Sequence, residues 1–329
     1  MRLKSIARSQ LKVLKSFSIL YGMAFSMYLP KRLYEEIALL IKSIQSLYTP
    51  SGYRGGGYAA ALLRREYQLK TAVSRAHGYD LYEDRNPLCY LPFRNVIYEN
   101  LTEIDFISQD GKKYFISRYG ESEDMQKAKL CVYRLGVEDR GCIAGERPGS
   151  RIVFVSCSSV ITVKRLDLII RCLSSLNIDI EWYHIGTGEA LYEIEHLAQV
   201  YMNKNSYHFV GYMKNDKIIE FYKKIKANYF INMSDSEGIP VSIMEAISAG
   251  LPVIARNVGG NGEIVSDKNG YLLEGCSDQN IIDEFNHIDF MDSEAYYIKS
   301  QNSRKLFLRN YNSKKNYNCF FSNLRDRIK

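Results

Sequence analysis

The sequence predicts an α/β protein of two doubly wound, parallel-sheet domains facing a cleft, the N-terminal one truncated. Three observations carry this. Short apolar runs alternate with amphipathic helical stretches, the pattern of a parallel sheet covered on both faces. The length of 329 residues exceeds one ordinary core and suits two. The segment Cys142–Ser150 interrupts the alternation with Gly, Pro and charges and reads as a linker. The expected boundaries are 1–145 and 146–310, with 311–329 as a separate closing helix.

The first half is the less regular. Phe17–Leu29 is apolar and follows a basic start (Arg2, Lys4, Arg8, Lys12, Lys15). It lacks a small-residue cleavage site, so it reads as one or two helices rather than a leader. The glycine run Gly52–Gly57 reads as a ligand-contacting loop or as a plain flexible connection. Strands are expected at Thr71–Arg75, Ile104–Ser108 and Leu130–Leu135, with a helix from Gln109 to Tyr119. Residues 1–65 open with a basic helical stretch instead of a strand, which points to a trimmed domain lacking one or two strands.

The second half alternates cleanly. Arg151–Ser156 is a strand, and Lys164–Leu176 is a helix with Leu166, Ile169, Ile170 and Leu173 on one face. Ile180–Ile185 is a strand ending in Gly186-Thr187-Gly188, followed by a helix over Glu189–Met202. Tyr207–Val210 is a strand ending at Gly211, and Asp216–Ile225 is a helix. Tyr229–Met233 is a buried strand, Val241–Ala249 a helix closed by Gly250, and Pro252–Ala255 a strand. Gly270–Leu273 precedes a last helix near Gln279–Phe285. The Gly186-Thr187-Gly188 turn lacks the Gly-x-Gly-x-x-Gly form and a downstream acidic partner, which argues against a nicotinamide oxidoreductase.

Composition narrows the class. Lys and Arg number 44 against 37 Asp and Glu, a net charge of +7. That excess suits an anionic membrane face or acidic ligands, although a solvated basic face explains any single residue equally well. Seven cysteines without paired spacing fit a reducing cytoplasm, and Cys and His show no metal-ligand spacing. No apolar run approaches the ~20 residues that cross a bilayer.

The chemistry concentrates in Ser234-Asp-Ser-Glu237-Gly238-Ile239-Pro240-Val241-Ser-Ile-Met-Glu245-Ala. Ligands of open α/β sheets bind beyond the carboxyl ends of the strands, where Glu237 falls. The start of the helix at Val241 presents unpaired N–H groups and a partial positive charge, suited to phosphate. Glu245 lies on the polar stripe Ser242, Glu245, Ser248, where a carboxylate accepts bonds from two vicinal hydroxyls of a ribose. Glu237 can do the same for a hexose. The plain alternative is a solvated helix face and an ordinary turn.

This stretch, followed by Leu251-Pro-Val-Ile-Ala-Arg-Asn-Val-Gly259-Gly260, resembles the donor-site signature of retaining glycosyltransferase family 4. The similarity is to the bacterial capsule, exopolysaccharide and O-antigen branch. Arg75-Ala-His77-Gly78-Tyr-Asp80, Ser108-Gln-Asp-Gly111 and Arg134-Leu-Gly136-Val resemble the acceptor-side signatures of that branch. The likeness spans roughly residues 70 to 325, with Asn316-Tyr317 and Phe320 in the final helix that returns to the first domain.

The resemblance implies a GT-B fold of two Rossmann-like domains. It gives Glu237 the donor sugar, Glu245 the ribose, Lys164 the diphosphate and His77 a place at the sugar or the entering hydroxyl. It places Ser159, Arg165, Gly186, Gly188, Gly211, Tyr212, Gly238, Ile239, Pro240, Val241, Gly259 and Gly260 around the donor. The resemblance gives no role to His184 or His208; His184, at a strand end beside Gly186, reads as structural or as a support for the site, and His208 as structural. The sequence departs from the family at Ser158 and Ser159, where a Gly and an Arg are usual, so Lys164 lacks its Arg partner. Neither a metal nor a cofactor is implied; the Asp235-Ser236-Glu237 triplet is explained by the family pattern.

The implied reaction moves a hexose from a UDP- or GDP-sugar to a lipid-linked surface polysaccharide precursor, with retention and front-face attack. The enzyme would be peripheral at the cytoplasmic face of the bacterial plasma membrane, with no nucleic-acid partner. The alternative is a truncated, inactive relative that binds nucleotide or partner transferases without turnover. A sugar-nucleotide epimerase of similar architecture needs a pair of acid/base carboxylates in the first half, and no clear pair stands there.

Overall fold

The computed structural model describes residues 46–49, 57–86, 88–120, 128–142, 149–203 and 206–328. The readings of Phe17–Leu29, of the glycine run at 52–56 and of most of the linker fall outside them. The chain divides into two compact units, with boundaries between Tyr133 and Arg134 and between Asn318 and Cys319.

The first unit holds a four-stranded parallel sheet in the order β1-β2-β3-β4. Its strands are β1 (Ser46–Thr49), β2 (Thr71–Ala76), β3 (Glu103–Phe106) and β4 (Lys129–Val132). The connections carry α1 (Tyr58–Tyr67), α2 (Arg94–Asn100) and α3 (Gln109–Tyr119). β1 was not foreseen, because four residues give too short a pattern to read. Ser108, expected as the end of a strand, instead caps α3, its Oγ accepting the Gly111 N–H at 2.9 Å. One sheet face packs Ala72, Ala76, Ile104 and Phe106 against Tyr98 and Phe115. The opposite face carries Val73 against Phe320.

The second unit holds a six-stranded, all-parallel sheet in the order β10-β9-β8-β5-β6-β7. Its strands are β5 (Ile152–Cys157), β6 (Ile180–Ile185), β7 (Tyr207–Gly211), β8 (Tyr229–Asn232), β9 (Val253–Arg256) and β10 (Gly270–Leu273). Its helices are α4 (Leu166–Ser174), α5 (Leu191–Tyr201), α6 (Asn215–Lys224), α7 (Val241–Ala249), α8 (Asp278–Asn286) and α9 (Ser293–Leu306). A final helix, α10 (Ser313–Ile328), starts here and belongs to the first unit from Cys319 onward.

Strand alternation divides the core into two layers. Ile152, Phe154, Trp182, Tyr229 and Ile231 meet α4, α5 and α8 on one face. Val155, Phe230, Val253 and Ala255 meet α6 and α7 on the other. β5, where the strand order reverses direction along the chain, is central, with β6 and β8 on either side. Loops after β5 and β8 therefore emerge side by side at the carboxyl edge, and this juxtaposition builds the site.

Candidate functional site

Glu237 sits in the loop after β8 and is 8 % exposed. Lys164, on the loop after β5, donates its Nζ to Glu237 Oε1 at 2.6 Å. Asn232, the last residue of β8, donates Nδ2 to the same oxygen at 3.3 Å and accepts the Ser234 N–H at 3.1 Å. The two loops are also tied through their backbones, Asp235 N–H to the Val163 carbonyl at 2.9 Å. Sequence spacing of 73 residues thus becomes a direct ion pair.

The glycine pair packs against the same loop. The Gly260 N–H donates to the Gly238 carbonyl at 3.0 Å. Gly259 has φ +51°, and a Cβ there would strike the Glu237 carbonyl. Only glycine satisfies both demands.

Pro240 precedes α7 with φ −66°, and no side chain caps the helix start. Gly250 ends it in the left-handed region at φ +84°, as the sequence suggests. The first-turn N–H groups beside the half-exposed Val241 therefore remain without a side-chain cap, while Glu245 lies one turn along. Glu245 is not a solvated residue. It is 8 % exposed and lines a cavity of about 160 Å³ with Glu138, Arg140, Asn215, Ile219, Val241 and Ser248. Burial raises its carboxyl to about 7, opposed by the Arg140 charge and the Asn215 amide. Polar groups of both hydrogen-bonding senses therefore converge on a partly apolar hollow beside an uncapped helix start.

The expected helix from Lys164 is corrected. Thr162–Lys164 forms a 3₁₀ turn, Arg165 takes φ +50°, ψ +46°, and α4 starts at Leu166. This break turns Lys164 toward Glu237 and Arg165 elsewhere. Arg165, expected at the donor, gives its guanidinium to Asp167, Asp235 and Asp278 at 3.1, 3.2 and 2.6 Å. Three carboxylates hold it as a clasp between the start of α4, the β8 loop and α8. Arg256, from β9, also pairs with Asp235.

Gly186 and Gly188 follow β6, where Gly186 N–H donates to the Gly211 carbonyl at 2.9 Å and the Val160 N–H to the Thr187 carbonyl at 2.9 Å. Ser159, on the loop after β5, is exposed. Tyr212, after β7, is exposed, whereas Ile239 is buried. His184 is fully buried, its Nδ1 2.8 Å from Ser156 Oγ, and burial pushes its pKa down to about 4. His208 pairs with Glu181 at 2.9 Å and stacks on Tyr183. His77 follows β2 directly, half-buried, in the first unit.

Sequence reasoning missed Glu138, Arg140, Asn215 and Ile219. Arg140 and Glu138 stand in a segment that carries no periodicity. Asn215 had one available signal, its place four residues after Gly211 at the start of α6.

Comparisons with known proteins report on the family and the fold. Residues 144–303 match the family model "Glycosyl transferases group 1". The O-antigen biosynthesis glycosyltransferase WbnH of Escherichia coli is 35% identical over 94 residues, 29% of this chain and 25% of that protein. The Escherichia coli UDP-Gal:alpha-D-GlcNAc-diphosphoundecaprenol alpha-1,3-galactosyltransferase is 31% identical over 131 residues, 39% of this chain and 32% of that protein. This chain thus spans between a quarter and a third of the length of these relatives. Anabaena Alr3699/HepE in complex with UDP and glucose aligns with a TM-score of 0.67 at 15% identity, over 90% of this chain and 82% of that one. The described units have the α/β architecture of the GT-B fold, and residues 144–303 are similar to glycosyl transferases group 1.

Proposed function

We propose that the protein is a retaining glycosyltransferase that moves a hexose from a UDP- or GDP-sugar to a lipid-linked precursor of a surface polysaccharide, working at the inner face of the bacterial plasma membrane. The observation that carries the reading is the arrangement around α7: an uncapped helix start, the Lys164–Glu237 pair before it, and Glu245 in a cavity one turn along. A diphosphate fits the helix start, where N–H groups and the nearby Lys164 meet its charge. The nucleoside fits the cavity, with the ribose hydroxyls on Glu245. The sugar then falls toward Glu237.

In this reading Lys164 acts electrostatically, since it stands where charge develops on the leaving diphosphate. Its bond to Glu237 keeps both groups oriented before substrate arrives. His77 would hydrogen-bond the sugar or the entering hydroxyl. No covalent nucleophile is assigned, and the acceptor attacks on the face the diphosphate leaves. A diphosphoundecaprenol-linked acceptor in one relative's name and UDP with glucose in one structural neighbour support a lipid-linked acceptor and a nucleotide-sugar donor.

Calorimetry with UDP and GDP, paired with a donor-hydrolysis and transfer assay, tests the assignment. Glu245→Ala should weaken nucleoside-diphosphate binding at least about tenfold, the scale of a hydrogen bond to a charged group. Glu237→Ala and Lys164→Ala should reduce transfer by about 10²–10³-fold, as loss of a charge-stabilising contact does. Unchanged UDP and GDP affinity in Glu245→Ala would refute the ribose role. Binding of the nucleotide-sugar by wild-type protein with neither transfer nor hydrolysis would instead favour the non-enzymatic reading, which the exposed Ser159 supports.

A further inference from the structure

Strand pairing in the first unit gathers three groups that no sequence spacing connects. Glu103 and Asp105 alternate along β3 and so share one sheet face. Cys131 on β4 is the register partner of Asp105. One ligand atom from each of Glu103, Asp105 and Cys131 lies within 4.8 Å of the others. Asp105 has no exposed surface, and neither of its carboxylate oxygens has a hydrogen-bond partner among the described residues. Leaving both oxygens of a buried carboxylate unpaired is costly, and such a group asks for a cation.

The neighbouring positive groups do not supply it by contact. Arg75, register partner of Asp105 on β2, lays its guanidinium over the Phe320 ring at 4.3 Å, and its Nε is itself unbonded. Lys129, at the start of β4, is exposed.

We propose that Glu103, Asp105 and Cys131 bind one divalent ion of the zinc class, as a structural site separate from the donor site. Two carboxylates and a thiolate are a donor set that zinc accepts. Around a tetrahedral ion with bonds of about 2.0–2.3 Å, ligand atoms stand about 3.3–3.8 Å apart, so closure needs shifts of about 1 Å. On binding, Cys131 releases its proton to solvent and three negative ligands surround the dication, with the fourth position left to water. The ion would join β3 to β4, the edge strand of the four-stranded sheet.

The test uses the full chain, stripped with a chelator and dialysed against Zn²⁺ alone or Co²⁺ alone. The expected result is one metal per chain, a near-ultraviolet thiolate-to-cobalt charge-transfer band, and a higher melting temperature with Zn²⁺. Cys131→Ser should abolish the band, and Asp105→Asn should weaken Zn²⁺ binding at least about tenfold. Circular dichroism of the metal-free variants checks that they fold. The cobalt spectrum of the wild-type chain needs no variant at all. The proposal falls if the wild-type chain takes up no stoichiometric zinc, if cobalt binds without the band, or if both variants bind as the wild type does. In that last case a group outside β3 and β4, such as the exposed thiol of Cys89, Cys276 or Cys319, holds the metal. None of these outcomes bears on Glu237, Glu245 or Lys164.

Discussion

Replacing Glu245 with Gln removes a carboxyl group whose ionisation the fold resists. Burial raises this group from the ordinary 4.5 to about 7. Below the unfolded value both states are protonated and the group contributes nothing to the pH dependence. As pH rises through 4.5 the unfolded chain loses its proton first, so the folded state is progressively disfavoured until it too ionises near 7; above that the penalty is constant. The full shift corresponds to about 3 kcal/mol at 1.36 kcal/mol per unit. By pH 5.5 roughly 1 kcal/mol of it is already present, which leaves about 2 kcal/mol between pH 5.5 and 8.5. Urea denaturation of wild type and Glu245→Gln at those two pH values measures the difference directly. The variant should gain about 2 kcal/mol on the wild type as pH rises. Asp105, which burial also raises to about 7, titrates in both proteins and cancels from the comparison. A stability difference that stays flat with pH would show that Glu245 ionises freely, and the cavity would then not be the enclosed site described.

Two other expectations concern packing. Gly259→Ala forces a Cβ into the Glu237 carbonyl at a positive φ, so it should cost more than about 1 kcal/mol in urea denaturation and lower transfer by displacing Glu237. Phe320→Ala strips the buried ring that meets Val73, Tyr133 and Arg75, and thermal or urea unfolding should report a loss of about 3–5 kcal/mol.

Much of the second unit was legible because its strands are buried on both faces and its helices amphipathic. Tyr229–Asn232 and the helix Val241–Ala249 stand where the apolar run and the Gly250 signal put them. Such elements are local decisions, set by side-chain periodicity and by the termination chemistry of glycine. The Lys164 segment was misread for a physical reason. A basic pair before an apolar face looks like the first turn of a helix, but Arg165 takes a left-handed conformation and pairs with the nearby Asp167 and with Asp235 and Asp278 from distant segments. Its charge was visible in the sequence; its direction was not.

The sequence by itself determined the alternation of strands and helices, the uncapped helix start at Val241, and the two carboxylates eight residues apart around it. Those features depend on neighbours along the chain. Tertiary structure alone decided that Lys164 meets Glu237, that Arg140 and Asn215 share a hollow with Glu245, and that Asp105 lies beside Cys131. Parallel strands bring together residues separated by whole crossover helices, and a carboxylate's burial and partners depend on which crossover lands beside it.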